Sequence, residues 1–283
     1  MDSSEVNELT FGADGAAVLG GIQTGYFTRL AFPSVTEPLA TSDEANRNKL
    51  FKTLNALRFN GECLEAHQWI LTELVKNFER DGTSKWDSIN VRFVECEYAL
   101  ARGELSEKES TEERDFAADA EARFTSTFAT PRPRFEEVFA AGNARPATAD
   151  ELTKHLDGEG GAFWNYAAGL YERGAGRRPT EEQARAFVDN CPPFRALMLG
   201  LMHAQFEWSI RENQIRKRKR VGRIDLFCAL YLPYCDIFIT NDNEQRRCLK
   251  EIAAAAKLPV EIFSHTEFSN RLLIGSTPFL KTA

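Results

Sequence analysis

Asp225 and Asp242 stand at the two ends of one apolar unit, Asp225 at the head of DLFCALYLPY and Asp242 just after IFIT. Carboxylates so placed can hold a proton or a hard cation together if the chain between them returns to its starting level. A helix from 225 to 232 rises about 12 Å at 1.5 Å per residue. A strand from 236 to 241 covers roughly 20 Å at 3.3 Å per residue in the opposite direction. Both carboxylates are thereby expected at one edge of an α/β layer, the edge where open sheets place their ligands. Two earlier acids can reach it. Asp14 closes an apparent short strand in ELTFGADGAAVLGGI (8–22), and Glu73 lies one turn after Trp69 in the helix that follows GECLEAH.

Four carboxylates in one cleft repel one another unless a cation joins them. Oxygen donors without histidine or cysteine favour Mg²⁺ or Mn²⁺, which keep water and phosphate oxygens in their shells. Phosphate would find its counter-charge in the unbroken run Arg216, Lys217, Arg218, Lys219, Arg220, with Arg223 just beyond. Such contacts are salt-dependent and blind to base sequence. Each residue also has a plainer role. Asp225 suits a helix N-terminus, Asp242 a turn, Glu73 an exposed helix face, and the basic run a solvated surface. Asp236, at the opposite end of the strand, reads as structural, and Phe206 and Trp208 read as core.

The elements that would position these groups alternate. After the first strand, NKLFKTLNAL (48–57) has helical spacing. GECLEAHQWILTELVKNFERDG (61–82) reads as a short strand followed by a helix, with Ile70, Leu74 and Phe78 on one face and Gly82 as a stop. SINVRFVECEYALARG (88–103) reads as a further helix. From 104 to 190 the texture changes to an acidic stretch and Gly- and Pro-rich breaks between helical pieces, a largely helical insertion. In its last part Thr180 and Gln183 form a capping-box pattern, and Cys191–Pro192–Pro193 ends that helix. Residues 194–213 form a very apolar helix. A helix from Asp225, a strand over 236–241, a helix over 244–258 and a strand over 259–264 complete the chain. Strands alternating with helices imply an α/β fold with a mainly parallel sheet, built from 1–103 and 191–283 around the insertion.

Composition bounds the class. Hydrophobic residues make up 43% of the 283, with 21 Phe, enough for a substantial core. MDSSEV lacks the basic and apolar regions of a secretory signal, and no apolar run is long enough to span a bilayer. The six cysteines form no CxxC pair, which suits a reduced, cytoplasmic protein. The four histidines form no HExxH, so zinc is not expected.

Residues 223–253, RIDLFCALYLPYCDIFITNDNEQRRCLKEIA, resemble the C-terminal half of a PIN-domain ribonuclease core. There an aspartate opens a helix, and an apolar strand runs out into Thr/Ser–x–Asp, here Asp225, then Thr240 and Asp242. ILTELVKN (70–77) is similar to the helix bearing the second acidic residue, which would be Glu73. LTFGADGAAVLGG (9–21) would supply the first, Asp14. The family usually follows that aspartate with Thr or Ser and then Asn, whereas Gly–Ala–Ala follow Asp14. The resemblance implies a three-layer α/β/α fold with a mainly parallel central sheet. It further implies a metal-dependent endoribonuclease with Asp14, Glu73, Asp225 and Asp242 as Mg²⁺ or Mn²⁺ ligands. Thr240 and Asn241 would support them and contact substrate. A toxin-like or defence role, an antitoxin-type protein inhibitor and a homodimer go with that family. The alternative is a non-catalytic PIN-like module that binds RNA or protein.

Overall fold

The computed structural model describes residues 1–82, 85–102, 146–158, 162–207 and 225–273, together with 111, 112 and 115. Its first turn is set by Asp2, whose side chain accepts the Glu5 N–H at 3.1 Å and opens helix α1 (Ser3–Phe11). The Gly12 N–H returns to the Glu8 carbonyl at 2.7 Å and closes it. Helix α2 (Gly15–Gly25) follows directly after Asp14. The strand expected within 8–22 is therefore two helices. Val6 and Leu9, then Val18 and Ile22, are buried at intervals of three and four, a helical and not a two-residue repeat.

The first strand is instead β1 (Thr28–Leu30). Helices α3 (Phe32–Leu39) and α4 (Glu44–Phe59) lead to β2 (Gly61–Cys63) and α5 (His67–Asp81). Gly82 stops α5 in the left-handed region, at φ 65°. Helix α6 (Val94–Arg102) begins later than the helix expected from 88. The preceding residues are held extended on β2 by Glu65 N–H to Val91 O (2.8 Å) and Phe93 N–H to Cys63 O (2.7 Å).

Helices α7 (Ala149–Gly158), α8 (Ala162–Ala175) and α9 (Glu181–Asn190) occupy the described part of the expected helical segment. The capping box of Thr180 and Gln183 forms as the spacing indicates. Tyr171 of α8 and Phe187 of α9 pack on Phe78 of α5 and Phe194, so these helices share a core with the earlier ones. Helix α10 (Pro192–Phe206) is buried nearly all round, as its apolar sequence requires. Asp225–Tyr234 forms a 3-10 helix that lies along α10. It can do so because Gly200 has no side chain: a Cβ there would stand 2.6 Å from the Leu226 carbonyl oxygen. Strand β3 (Ile237–Ile239), helix α11 (Asn243–Ala256), strand β4 (Glu261–Phe263) and helix α12 (His265–Leu273) follow.

The fold is a mostly helical α/β arrangement with parallel strands. The strands described make two separate pairs, β1 with β2 and β3 with β4, where the sequence implied one central sheet. Met1 and Asp2 tie α3 to β3. The Ser34 hydroxyl donates to the Met1 carbonyl, and the Asp2 N–H donates to the Ile239 carbonyl at 3.2 Å. Strand alternation sends Leu30, Cys63 and Ile239 into one buried cluster with residues of α1, α2 and α4. Ala31, Leu64, Phe238 and Ile262 enter a second cluster with residues of α5, α10 and α11. Among the described residues no helix is long and apolar enough to cross a membrane.

Candidate functional site

Asp2, Asp225 and Asp242 are linked through Thr240 and Gln245 at the end of β3, Asp225 by its backbone carbonyl. Thr240 leaves the strand with its N–H still bonded to the Phe263 carbonyl (3.0 Å) and its side chain fully buried. Its hydroxyl meets Asp2 Oδ2 at 2.8 Å and Gln245 Oε1, and accepts the Asp242 N–H at 3.1 Å. Asp242 caps α11: its Oδ1 accepts the Glu244 and Gln245 N–H groups, both at 2.8 Å. The Gln245 side-chain amide donates to the Asp225 carbonyl at 3.0 Å. Asp225 and Asp242 are thus both tied to Gln245, and Asp2 joins them through Thr240. Burial, then the Asp2 and Asp225 carboxylates, push the Cys228 thiol up.

Helix α1 seals this edge. The Ser4 hydroxyl donates to Asp2 Oδ1 (2.9 Å) and accepts the Asn241 N–H (2.8 Å), while the Asn241 amide donates to Glu8 Oε1 (3.0 Å). Burial raises the Asp2 pKa, against hydrogen bonds from Thr240 and Ser4 that lower it. One turn on, Glu5 is fully buried, and its carboxyl is pushed up to about 7 by that burial, with His265 opposing.

His265 opens α12 and bridges two acids, Nδ1 to Glu5 Oε1 at 2.9 Å and Nε2 to Asp14 Oδ1 at 3.0 Å. Burial works against its charge, but the bonds to Glu5 and Asp14 win and raise its pKa. Asp14 Oδ2 also accepts the Ser269 hydroxyl at 2.8 Å, and these partners, His265 first, hold Asp14 below the usual carboxylate range. Asp14 therefore works as a tie between α2 and α12. Glu73 pairs with Lys76 at 2.8 Å on the surface of α5.

Among the described residues, no three His, Cys, Asp or Glu side chains are placed to share an ion. Asp14, Glu73, Asp225 and Asp242 accordingly do not form a common ligand sphere. Thr240, expected to contact substrate, is interior and can only position its neighbours, because a buried strand end must satisfy its polar atoms internally. Asn241 is exposed beside it. Arg216, Lys217, Arg218, Lys219, Arg220 and Arg223 lie outside the described residues.

No family model, curated protein or solved structure matches this chain. The site rests on its own geometry.

The sequence reading passed over Asp2, Glu5 and His265. For Asp2 a signal existed, since DSSE is an N-cap residue followed three positions later by Glu. Glu5 and His265 are 260 positions apart, and no local pattern connects them.

Proposed function

We propose that this chain is a carboxylate-dependent phosphodiesterase acting on RNA. Asp225 and Asp242 are its metal-holding pair, and Asp2, in place of Asp14, is the acid that positions them through Thr240. The observation that carries this reading is the engagement of one residue, Gln245, by both Asp225 and Asp242, with Asp2 attached through Thr240. Asp2 also suits the resemblance better, because Ser3 follows it where Gly15 follows Asp14. The two parallel strand pairs, with helices packed on both faces, are read as halves of a three-layer α/β/α sheet of the PIN type.

The donor set is oxygen only, which suits Mg²⁺ or Mn²⁺. Mg²⁺ is commonly held by one or two carboxylates, with water and substrate phosphate completing its shell. When bound, such an ion lowers the pKa of a water and neutralises charge on the leaving oxygen. The chain's own residues do the rest. Gln245 and Thr240 hold the acids in register, Ser4 orients Asp2, and the α11 N-terminus fixes Asp242. The basic run just before Asp225 would take the RNA backbone. An antitoxin-type inhibitor and a homodimer are the partners this reading brings with it, and its setting is cytoplasmic.

The purified chain should cleave single-stranded RNA with Mg²⁺ or Mn²⁺ and stop with EDTA. Asp225→Asn and Asp242→Asn should each lower the rate by at least about 100-fold. Asn is as good an N-cap as Asp, so the second loss would be chemical and not structural. Asp14→Asn and Glu73→Gln should leave the rate near wild type. Cleavage that survives EDTA and Asp242→Asn would sink the proposal.

The alternative, a non-catalytic module binding RNA or protein, draws on one observation. Both Asp2 oxygens are already engaged in hydrogen bonds within the chain. RNA binding without any heat of Mn²⁺ binding in calorimetry would favour it.

A further inference from the structure

Cys63 and Cys96 take no part in the proposed reaction, yet the fold brings them together. Cys63 ends β2 and is 1% exposed, while Cys96 lies in the first turn of α6 and is half-buried. Hydrogen bonds on either side of Cys96 seat that turn on the Cys63 backbone. The Phe93 N–H donates to the Cys63 carbonyl at 2.7 Å, and the Cys63 N–H donates to Glu97 Oε1 at 3.1 Å. Glu97 is itself fixed by Arg92, whose Nε donates to Oε1 at 2.8 Å. Cys96 packs against the buried cluster that contains Cys63, and its side chain is the first cause that pushes the Cys63 thiol up. Neighbouring thiols on two anchored elements can be bridged with little movement of the chain when their Cα atoms stand within disulfide range.

We propose that Cys63 and Cys96 form a reversible disulfide that links α6 to β2 when the protein meets a small-molecule disulfide oxidant. The thiolate of Cys96, the more accessible sulfur, attacks one sulfur of the oxidant. The oxidant's S–S bond breaks, a thiolate leaves, and a mixed disulfide forms on Cys96. Cys63 then attacks Sγ of Cys96 and expels the second thiolate. The protein loses two electrons and two protons, and the oxidant becomes two thiols. The order follows from reactivity, since the thiolate is the nucleophile. Contact with Cys96, and then burial, hold the Cys63 thiol far above its ordinary range, so Cys63 resolves and does not initiate.

The test uses the full chain, oxidised glutathione, alkylation of remaining thiols and peptide mass spectrometry. Wild type should yield a peptide pair linked through Cys63 and Cys96, released by dithiothreitol. Cys63→Ala should instead accumulate glutathione on Cys96. Cys96→Ser, at the half-buried position, should leave Cys63 as a free thiol, and it keeps the test open if the buried variant does not fold. Wild type in which both cysteines are still alkylated after oxidation overturns the proposal. So does Cys96→Ser protein carrying glutathione on Cys63.

Discussion

Thr240 has one hydroxyl proton and two acceptors facing it, Asp2 Oδ2 and Gln245 Oε1. A proton on Asp2 resolves the conflict: Asp2 donates to Thr240, and Thr240 donates to Gln245 while accepting the Asp242 N–H. Burial raises the Asp2 pKa in the direction this requires. Asparagine reproduces that state, with an oxygen for the α1 cap and an N–H for Thr240. Asp2→Asn should therefore leave stability within about 0.5 kcal/mol of wild type, the range of a substitution that breaks no special feature. Asp2→Ala should cost about 2 kcal/mol through the lost cap and the broken buried network. Denaturant melts of the two variants check this.

At the scale of elements, Asp225 depends on how closely its 3-10 helix lies on α10. Gly200 sets that approach, since an added Cβ would meet the Leu226 oxygen at 2.6 Å and the Ala229 Cβ at 3.2 Å. Backbone cannot give way as a flexible side chain does. Gly200→Ala should therefore destabilise by about 1–3 kcal/mol, the usual cost of overpacking, despite the better helix propensity of alanine. Its displacement of residues 225–234 should also lower RNA cleavage. A melt and an activity assay on the same preparation would check both. GLM around Gly200 reads as an ordinary helix stretch in the sequence; the need for glycine comes from an element 25 residues further on.

At the scale of the whole molecule, Glu5, His265 and Asp14 tie α1, α2 and α12 through one imidazole. Burial pushes the Glu5 carboxyl up to about 7 in the fold, against an ordinary value near 4.5. The folded protein therefore holds a proton that the unfolded chain releases, and this contribution to stability is present below about 4.5 and lost as pH rises through 7. The loss is on the order of 3 kcal/mol. The raised His265 pKa acts in the same sense, being lost as pH rises through its folded value. Asp14 acts in the other sense, its contribution lost below 3.8 as pH falls through its lowered value. Thermal stability should therefore fall between about pH 5 and 8, and Glu5→Gln should flatten that slope. A wild-type melting temperature that climbs across this window would contradict the burial argument.

Much of this protein is determined by short-range pattern. The helices over 67–81, 181–190 and 243–256 and the strands around Phe238 and Ile262 follow from periodicity and caps. These depend on neighbours a few residues apart, which a sequence displays directly. Tertiary structure decided the rest. Whether GADGAA is a strand end or a helix junction turned on the DSSE cap and on which face of 3–25 found a core. The partners of Asp2, Glu5 and Asp14 lie more than 230 positions away. Asp2 and Glu5 find theirs through burial, because a buried carboxyl must find a proton or a donor wherever the chain returns to it.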